Sequence, residues 1–243
     1  MCGRYSLTTP VEALRQLFDF PEQLNLRPRY NIAPTQEVAA VRRDPPPAAG
    51  ARVGDPAGGK VCVSGRHLVL LRWGLIPAWA KEAAIGSRMI NARAETLADK
   101  PAFRSAFRKR RCLIAADGFY EWRTTAEAPK APKQPYYIRL ESDAPFAIAG
   151  LWERWRDPAG ATIESCTLIT TEANPELASI HHRMPVILAP ADYDAWLEPR
   201  PAAAEALHDL LRPYHGCGMT AIPIGRHVNN VRNDDPACIE ALA

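Results

Sequence analysis

Short apolar runs, separated by polar or proline-containing turns, follow one another along most of the chain. The clearest runs are six or seven residues long and contain Val, Ile, Leu, Thr or aromatic residues, a pattern that is typical of β-strands. These predicted strands are EVAAVRR, PYYIRL, FAIAGLW and CTLITT. The chain is therefore expected to form many short strands.

The spacing of an amphipathic helix occurs in short segments. In TTPVEALRQLF, Leu14, Leu17 and Phe18 share one face, Thr9 is the predicted N-cap and Pro10 is the first helical residue. Further short helices are predicted at KPAFRSAFRKRR, NPELASIHH, ADYDAWL and AAAEALHDLL. Because few of them have the length of a crossover between parallel strands, the pattern predicts an α+β fold with a largely antiparallel, partly closed β-sheet or barrel flanked by short helices.

The length and composition are those of an ordinary globular protein. The 243 residues suffice for one large domain or two small ones, and 47% of them are hydrophobic and 23% charged. The tract DPPPAAGARVGDPAGGK is too rich in proline and glycine to pair in a sheet, so we predict a mobile loop at about 44–60. A net charge of +3 permits an anionic partner without requiring one.

Apolar runs long enough for a signal peptide at the start of the chain, or for a membrane span elsewhere, are absent from the sequence. We therefore expect an intracellular protein without a membrane partner. The six cysteines are scattered and form no CxxC pair, which favours reduced thiols over a disulfide framework or a zinc site. No metal and no other cofactor is expected.

The first candidate for chemistry is the cysteine at position 2, in MCGRY. Small buried cysteines are common, so the identity of Cys2 alone favours a structural role. If Met1 is removed, Cys2 presents an α-amine with an ordinary pKa of about 7.7–8.0 beside a thiol with a pKa of about 8.5. Two nucleophiles would then lie on neighbouring carbons of one residue.

Three further polar residues interrupt apolar surroundings in MINARAET, GFYEW and SIHHRMP. Glu121 is either an exposed strand carboxylate or a partly desolvated acid with a raised pKa, suited to proton transfer. His181 is either a histidine favoured by the dipole at a helix C-terminus or an acid–base group. Asn91 is either a turn residue or a fixed hydrogen-bond donor to a reacting group. The residues alone leave these alternatives open.

Basic and aromatic residues in or beside the same stretches are compatible with nucleic-acid binding. Arg4 and Arg93 provide positive charge, and Trp73 and Trp122 offer surfaces on which bases could stack, as in grooves that hold single strands. The RKRR run at 108–111 is less informative, because dipole complementarity in the last turn of a helix and solvation explain it.

Six motifs follow one another along the chain: MCGRYSL, RYNIAPTQ, LRWGLIPAWA, INARAET, CLIAADGFYEW and SIHHRMPVIL. A shorter motif, VNNVRN, follows near the C-terminal end. Together they resemble the SRAP family, the SOS response-associated peptidases that shield abasic sites in DNA. The resemblance implies a single SRAP domain over residues 1–243, with core motifs in 2–190 plus a C-terminal segment. The implied partner is single-stranded DNA containing abasic sites, and we expect a monomer in the cytoplasm, associated with the nucleoid.

In that family the N-terminal cysteine, freed by self-directed removal of the first methionine, condenses with the aldehyde of a ring-opened abasic site to give a thiazolidine crosslink. The resemblance implies this reaction for Cys2. It further implies that Glu121 is the acid–base group, that His181 transfers a proton and that Asn91 holds the cysteine backbone or the sugar oxygen. The implied enzyme is an SRAP-type cysteine autopeptidase with lyase-like Schiff-base chemistry.

The resemblance also implies the contacts with DNA. Phosphates flanking the lesion are expected at Arg4 and Arg93. The remaining expected contacts are surfaces for neighbouring bases at Pro34, Trp73 and Trp122, and further contacts at Asn31 and Thr171.

Two other functions fit the same residues. The first is a cysteine peptidase that acts on other proteins, with Cys2 as nucleophile and His181 as base. The second is a passive single-strand binder whose cysteine is structural. The requirement for a free α-amine distinguishes the crosslinking reaction from the peptidase. Thiazolidine formation needs both the amine and the thiol of Cys2, whereas a nucleophile that is only acylated needs the thiol alone.

Overall fold

Short strands and short helices alternate in the computed structural model, which describes residues 2–43, 65–124, 132–198, 204–215 and 218–242. The strands are β1 (Tyr5–Leu7), β2 (Arg29–Ile32), β3 (Glu37–Arg43), β4 (Arg66–Trp73), β5 (Asn91–Arg93), β6 (Arg111–Ala116), β7 (Gly118–Thr124), β8 (Lys133–Leu140), β9 (Phe146–Arg156), β10 (Thr162–Glu172), β11 (Arg183–Pro185), β12 (Ile187–Leu188) and β13 (Met219–Pro223). The α-helices are α1 (Val11–Phe18), α2 (Arg104–Lys109), α3 (Tyr193–Leu197) and α4 (Ala204–His208). Short 3₁₀ turns lie at Ala83–Arg88, Ala94–Thr96, Pro190–Asp192, Arg226–Asn229 and Pro236–Cys238.

Five strands close into a barrel. Their order is β10-β4-β3-β6-β9, and β9 pairs with β10 to complete the ring. These pairings are antiparallel except that β10 and β4 run parallel. Because successive residues of a strand point to opposite faces, alternate side chains of the five strands fill the interior.

An open antiparallel sheet with the order β13-β8-β7-β1-β2 accompanies the barrel. Asp117 alone separates β6 from β7, so the chain passes directly from the barrel into the open sheet. Strand β5 adds to barrel strand β10 in parallel, with Asn91 opposite Leu168. The start of the chain, β5 and β7 come close to one another at this junction, where the functional candidates lie.

One continuous apolar core joins the barrel to its covering helices. Phe18 of α1 stacks on Tyr193 of α3, with 5.4 Å between ring centroids. The buried Trp196 of α3 also donates its indole N–H to the carbonyl of Cys112 in β6, at 2.9 Å. Each such buried side chain stabilises the fold by about 1.5–3 kcal/mol relative to an exposed one. The short helices are therefore held by tertiary packing rather than by their own length.

The segment Arg226–Cys238, called the C-terminal strap below, crosses the open sheet. It covers a second, smaller apolar cluster made of Tyr120, Tyr137, Ile224, Val228 and Cys238. In the strap, the Asp234 carboxylate accepts hydrogen bonds from the backbone N–H groups of Tyr30 and Asn31, at 2.6 and 2.9 Å. The strap is thus fastened to β2, about two hundred residues earlier in the chain.

The predicted α+β fold is confirmed. The sheet that was predicted to be partly closed forms a fully closed five-stranded barrel beside an open sheet.

Helix α1 forms as predicted, but Thr9 is not its cap: the Thr9 hydroxyl donates to Asp117 and no side chain caps the helix. The helix predicted over 174–182 is a series of turns, in which Asn174 Oδ1 accepts the backbone N–H of Leu177. The loop predicted at about 44–60 lies outside the described residues.

Candidate active site and nucleic-acid interface

The first strand is anchored at both ends of its short length. Strand β1 pairs with β7, with Tyr5 opposite Phe119. The Asp117 carboxylate accepts hydrogen bonds from the backbone N–H and hydroxyl groups of both Thr8 and Thr9. A carboxylate that accepts several such bonds is a strong anchor. The position of Cys2, just before β1, is therefore set by the folded protein.

Cys2 is fully buried. Its thiol donates to the carbonyl oxygen of Arg4, with 3.7 Å between sulfur and oxygen. Burial first, and then the negative charge of Glu121, raises the pKa of the Cys2 thiol well above its ordinary value. The thiol is consequently held in its protonated form, and its sulfur needs a base before it can attack.

Asn91 connects β5 to the start of the chain. Its Nδ2 donates to the carbonyl oxygen of Cys2 at 2.7 Å. The other amide atom, Asn91 Oδ1, is buried and accepts no hydrogen bond from any described residue. Since an unmatched buried acceptor is costly, this oxygen is suited to accept from an amine or a sugar hydroxyl that arrives beside Cys2.

Glu121 stands on β7 opposite Tyr136 of β8, and its side chain is only 5% exposed. Burial raises the pKa of the Glu121 carboxyl above its ordinary value, because a carboxylate loses its hydration there. A carboxyl group with a raised pKa retains its proton closer to neutral pH, as a general acid must. The alternative of an exposed strand carboxylate is therefore wrong.

His181 completes the group. Its Nδ1 lies 4.0 Å from Glu121 Oε1, and the backbone amide and carbonyl of Arg183 lie 3.0 and 3.1 Å from the same nitrogen. Burial lowers the pKa of His181, which keeps the imidazole neutral and able to accept a proton at neutral pH. The Arg183 guanidinium in turn forms a two-pronged pair with Glu95, at 2.6 and 3.0 Å.

These contacts bring together the four residues expected to carry chemistry: Cys2, Asn91, Glu121 and His181. The arrangement combines a protonated thiol, a carboxyl group with a raised pKa, a neutral imidazole and an amide on the cysteine backbone. Such a set can deliver and remove protons around an attack by the first residue of a processed chain.

A cavity of about 440 Å³, called the Arg4 pocket, opens beside Arg4 and Trp122. It is lined by Arg4, Trp122, Pro132, Lys133, Arg226 and Asn229. The Arg4 guanidinium is held by two neutral acceptors, Asn31 Oδ1 and the Val228 carbonyl, both at 2.8 Å. The Trp122 indole donates to Asn229 Oδ1 at 2.8 Å. The pocket thus combines an aromatic wall with positive charge.

Two of the expected DNA contacts, Trp73 and Asn31, are buried. Trp73 is fully buried, its indole donates to the carbonyl of Ile90 at 2.8 Å, and its ring meets Tyr5 edge-on, so it has no free face for a base. Asn31 is also fully buried, and its amide bonds Arg4 and the strap. Both side chains are engaged inside the protein in this structure and offer no exposed surface.

The remaining expected contacts differ in exposure. Arg93 is exposed on β5, and Pro34 and Trp122 are half-buried. Thr171 is 5% exposed and faces Met184 of β11, which leaves its side chain little surface to offer. Arg93, Pro34 and Trp122 are accessible to a ligand, as the expectation requires.

Sequence reasoning missed Trp79, the other tryptophan of LRWGLIPAWA. Its side chain is 60% exposed, and with Lys81 and Arg88 it lines a second surface cavity of about 500 Å³. A large exposed aromatic beside cations is a better stacking surface than the buried Trp73. The sequence signal that could have indicated this exposure is the position of Trp79 shortly after Pro77, in a turn that follows the end of a strand.

The strap carries a cluster of metal-ligand types: within the described part of the chain, ligand atoms of His227, Asp235 and Cys238 lie within 4.8 Å of one another. Asn233 Nδ2 lies 3.0 Å from His227 Nδ1 and 2.8 Å from the His227 carbonyl. Nδ1 therefore accepts, and Nε2 donates to Asp235 at 2.9 Å. These hydrogen bonds hold the two ends of the strap together.

Comparison with known proteins decides the family. The model of the SOS response associated peptidase family (SRAP) matches residues 1–231. The chain belongs to the SRAP family. The SRAP match spans the barrel, the open sheet and the first part of the strap, and thus every residue that contributes to the four-residue group.

Two SRAP relatives from Bacillus subtilis (strain 168) are similar over nearly their whole length. The abasic site processing protein YoqW is 38% identical over 244 residues, covering 99% of this chain and 100% of YoqW. The abasic site processing protein YoaM is 40% identical over 245 residues, covering 99% and 98%. The abasic site processing protein HMCES of Gallus gallus is 32% identical over 72% of this chain and 58% of its own length.

The fold also occurs in a solved structure. A protein from Bacteroides thetaiotaomicron, 26% identical, superimposes with a TM-score of 0.79 over all of both chains.

Among the described residues, the helices are too short or too polar to span a membrane.

Proposed function

We propose that this SRAP protein captures abasic sites in single-stranded DNA by forming a covalent thiazolidine crosslink through Cys2. Two observations support the proposal. Two relatives that match nearly the whole chain are named abasic site processing proteins. A cysteine at position 2 is buried against a carboxyl group with a raised pKa and an asparagine amide. The second observation carries the chemical part of the argument.

The reaction begins with loss of Met1. Hydrolysis of the bond between Met1 and Cys2 consumes one water and releases methionine, and it leaves Cys2 with a free α-amine. That amine has an ordinary pKa of about 7.7–8.0, so a useful fraction is neutral near pH 7. The enzyme is in this respect a cysteine autopeptidase.

Capture then proceeds in two additions to one carbon. The neutral amine adds to the C1′ aldehyde to give a carbinolamine, whose hydroxyl leaves as water with a proton donated by Glu121. The nitrogen then returns a proton to the Glu121 carboxylate, which leaves a neutral imine. The Cys2 sulfur adds to the imine carbon, while its proton passes through His181 to the nitrogen. Aldehyde plus cysteine thus gives thiazolidine plus one water. The second addition is intramolecular and gains a large effective molarity.

Asn91 has a positioning part in this scheme. Its Nδ2 holds the Cys2 carbonyl, and its buried Oδ1 accepts from the amine or from a hydroxyl of the opened sugar. On the DNA side, Arg4 and Arg93 bind phosphates, and Pro34 and Trp122 support neighbouring bases. The proposed protein works as a monomer in the cytoplasm, at the nucleoid where damaged DNA is present.

The environment of the thiol argues against a cysteine peptidase that acts on other proteins. Such an enzyme relies on a thiolate whose pKa is lowered by its partner histidine. Burial instead raises the pKa of the Cys2 thiol. Attack by the amine first, and by the sulfur only at the imine stage, is compatible with this environment.

The test uses a single-stranded oligonucleotide with one abasic site, mixed with purified protein, heated in detergent and run on a gel. We expect a shifted band that requires the lesion and is absent with Cys2→Ala and with Cys2→Ser, which keeps the amine but loses the thiol. The intact mass should equal protein without Met1 plus DNA minus one water. A shifted band that persists in Cys2→Ser would refute thiazolidine formation, and no band from protein shown to lack Met1 would refute capture altogether.

A further inference from the structure

We propose that His182 is a positioning residue for the capture reaction, which stacks on the imidazole of His181 and keeps that imidazole neutral in acid. The inference rests on the proposed function, in which His181 carries the proton of the Cys2 thiol. It adds a residue that the four-residue group does not contain. Its basis is the contact between two imidazole rings with different surroundings.

The rings of His181 and His182 are stacked. Their centroids lie 4.4 Å apart and their planes differ by 27°. Neighbouring residues of an extended strand point to opposite faces, so the stacking depends on the bend of the chain just before β11. The backbone N–H of Ala173 donates to the His182 carbonyl at 3.1 Å and fastens this bend to the end of β10. The contact between the two rings is therefore set by the fold.

The two rings differ in their access to water. The His181 side chain is 20% exposed, and its Nδ1 lies 3.0 and 3.1 Å from the backbone nitrogen and oxygen of Arg183. His182 is exposed and lines a surface cavity of about 410 Å³ with Glu172 and Arg183. The ring nitrogens of His182 form no hydrogen bond with a described residue. Because a charged ring keeps its hydration only where water reaches it, the first proton that the pair takes up in acid resides on His182.

A proton on His182 opposes a second proton on His181. Two positive charges about 4 Å apart repel each other, and sites that interact this strongly titrate in two separate steps. Burial lowers the pKa of His181 most, and the positive charges at the start of the chain, on His182 and on Lys133 lower it further. The Arg183 carbonyl acts in the opposite direction, because it accepts a hydrogen bond from the protonated ring.

Other charged groups near His181 do not replace this effect. Glu121 Oε1 of β7 lies 4.0 Å from His181 Nδ1, but burial raises the pKa of the Glu121 carboxyl and so favours its neutral form. The Arg183 guanidinium is matched by its pair with Glu95. His182 is the charge that lies directly against the His181 ring, and it forms only in acid. It thereby extends to lower pH the range in which His181 can accept the thiol proton.

The test follows the imidazole Cε1–H signals of isotope-labelled histidine by NMR as the pH is lowered, with His181→Gln used to identify the His181 signal. His182→Phe keeps a stacked ring without the charge, and it should raise the titration midpoint of His181 by about 0.7 pH unit, the effect of a unit charge about 4 Å away in water. His182→Arg keeps a positive charge on a planar group, and it should restore the wild-type midpoint.

The matched control is His67→Phe, which replaces an exposed histidine at the start of β4. The site adjoins the other end of this strand, where Trp73 bonds the Ile90 carbonyl, about 20 Å along β4. The His181 midpoint should be unchanged in the control. A wild-type midpoint in His182→Phe, or an equal rise in His182→Arg or in His67→Phe, would overturn the inference. Thermal melts of all variants check that the fold is intact.

Covalent capture is measured separately, as the rate of crosslink formation against pH on denaturing gels. Its acidic limb should move upward in His182→Phe by the same interval as the NMR midpoint, and a limb that stays in place would refute the role of His182 in capture. A raised NMR midpoint with no crosslink from the wild type would support the coupling of the two rings and refute covalent capture. A wild-type crosslink with an unchanged NMR midpoint in His182→Phe would do the reverse, so the two failures are distinguishable.

Discussion

Replacement of Asn31 by alanine tests whether this residue works inside the protein or on DNA. Asn31 Nδ2 lies 3.1, 3.1 and 2.7 Å from the carbonyl oxygens of Val228, Asn230 and Asn233, and Oδ1 accepts from Arg4 at 2.8 Å. An amide nitrogen has two hydrogens, so two of the three carbonyls are satisfied at any moment. The asparagine is the point where β2, Arg4 and the strap meet.

The size of the effect follows from these bonds. Two buried amide–carbonyl bonds contribute about 1 kcal/mol each, and the bond from the charged Arg4 contributes about 1.5–3 kcal/mol. Asn31→Ala should therefore lower the free energy of unfolding by about 3.5–5 kcal/mol, a large share of the 5–15 kcal/mol that is usual for a domain. The strap should loosen first, because Asn31 holds its backbone.

The assay is urea unfolding followed by tryptophan fluorescence, with proteolysis as a probe of the strap. Asn229→Ala is the matched control, because it removes one exposed bond to Trp122 and no buried one. We expect a stability loss below about 1 kcal/mol for this control. If Asn31→Ala unfolds at the same urea concentration as the wild type while DNA affinity falls, Asn31 contacts DNA directly and the positioning role is refuted.

Three further predictions concern the first strand, the acid and the two tryptophans. Asp117→Ala removes four hydrogen bonds that hold the start of the chain, and it should lower the free energy of unfolding by about 3 kcal/mol and slow crosslinking on gels. Glu121 has a raised pKa in the folded state, so its contribution to stability is complete at low pH and is lost as the pH rises through the folded-state value. Glu121→Gln should therefore be more stable than the wild type at neutral pH, with the advantage disappearing below about pH 4 in urea titrations, while crosslinking is lost. Trp73→Phe should lower the free energy of unfolding by about 1–3 kcal/mol and leave DNA affinity unchanged. Trp79→Ala should weaken DNA binding in anisotropy titrations without changing stability. The opposite pattern would contradict the burial of Trp73 and the exposure of Trp79.

The local pattern of the sequence was sufficient for the types of most elements. EVAAVRR coincides with β3, and FAIAGLW and CTLITT lie within β9 and β10, because apolar strand runs have a short-range signature. The helix over 174–182 was predicted wrongly, since Asn174 uses its capping bond in a turn that tertiary contacts with Tyr214 stabilise. Strands β9 and β10 are neighbours in sequence and form a hairpin, but closure of the barrel also needs the parallel pairing of β10 with β4, which lie far apart in the chain and for which no local pattern exists.

By itself the sequence determined the family, and its ordered motifs named Cys2, Asn91, Glu121 and His181 as the candidate reactive groups. Only the tertiary structure decided which polar and aromatic residues of those motifs face solvent. Trp73 is enclosed and Trp79 exposed within one motif, and Asn31 is covered by a strap from the other end of the chain. The directions of the pKa shifts were likewise decided by burial, which depends on every element packed around a group and not on its neighbours in sequence.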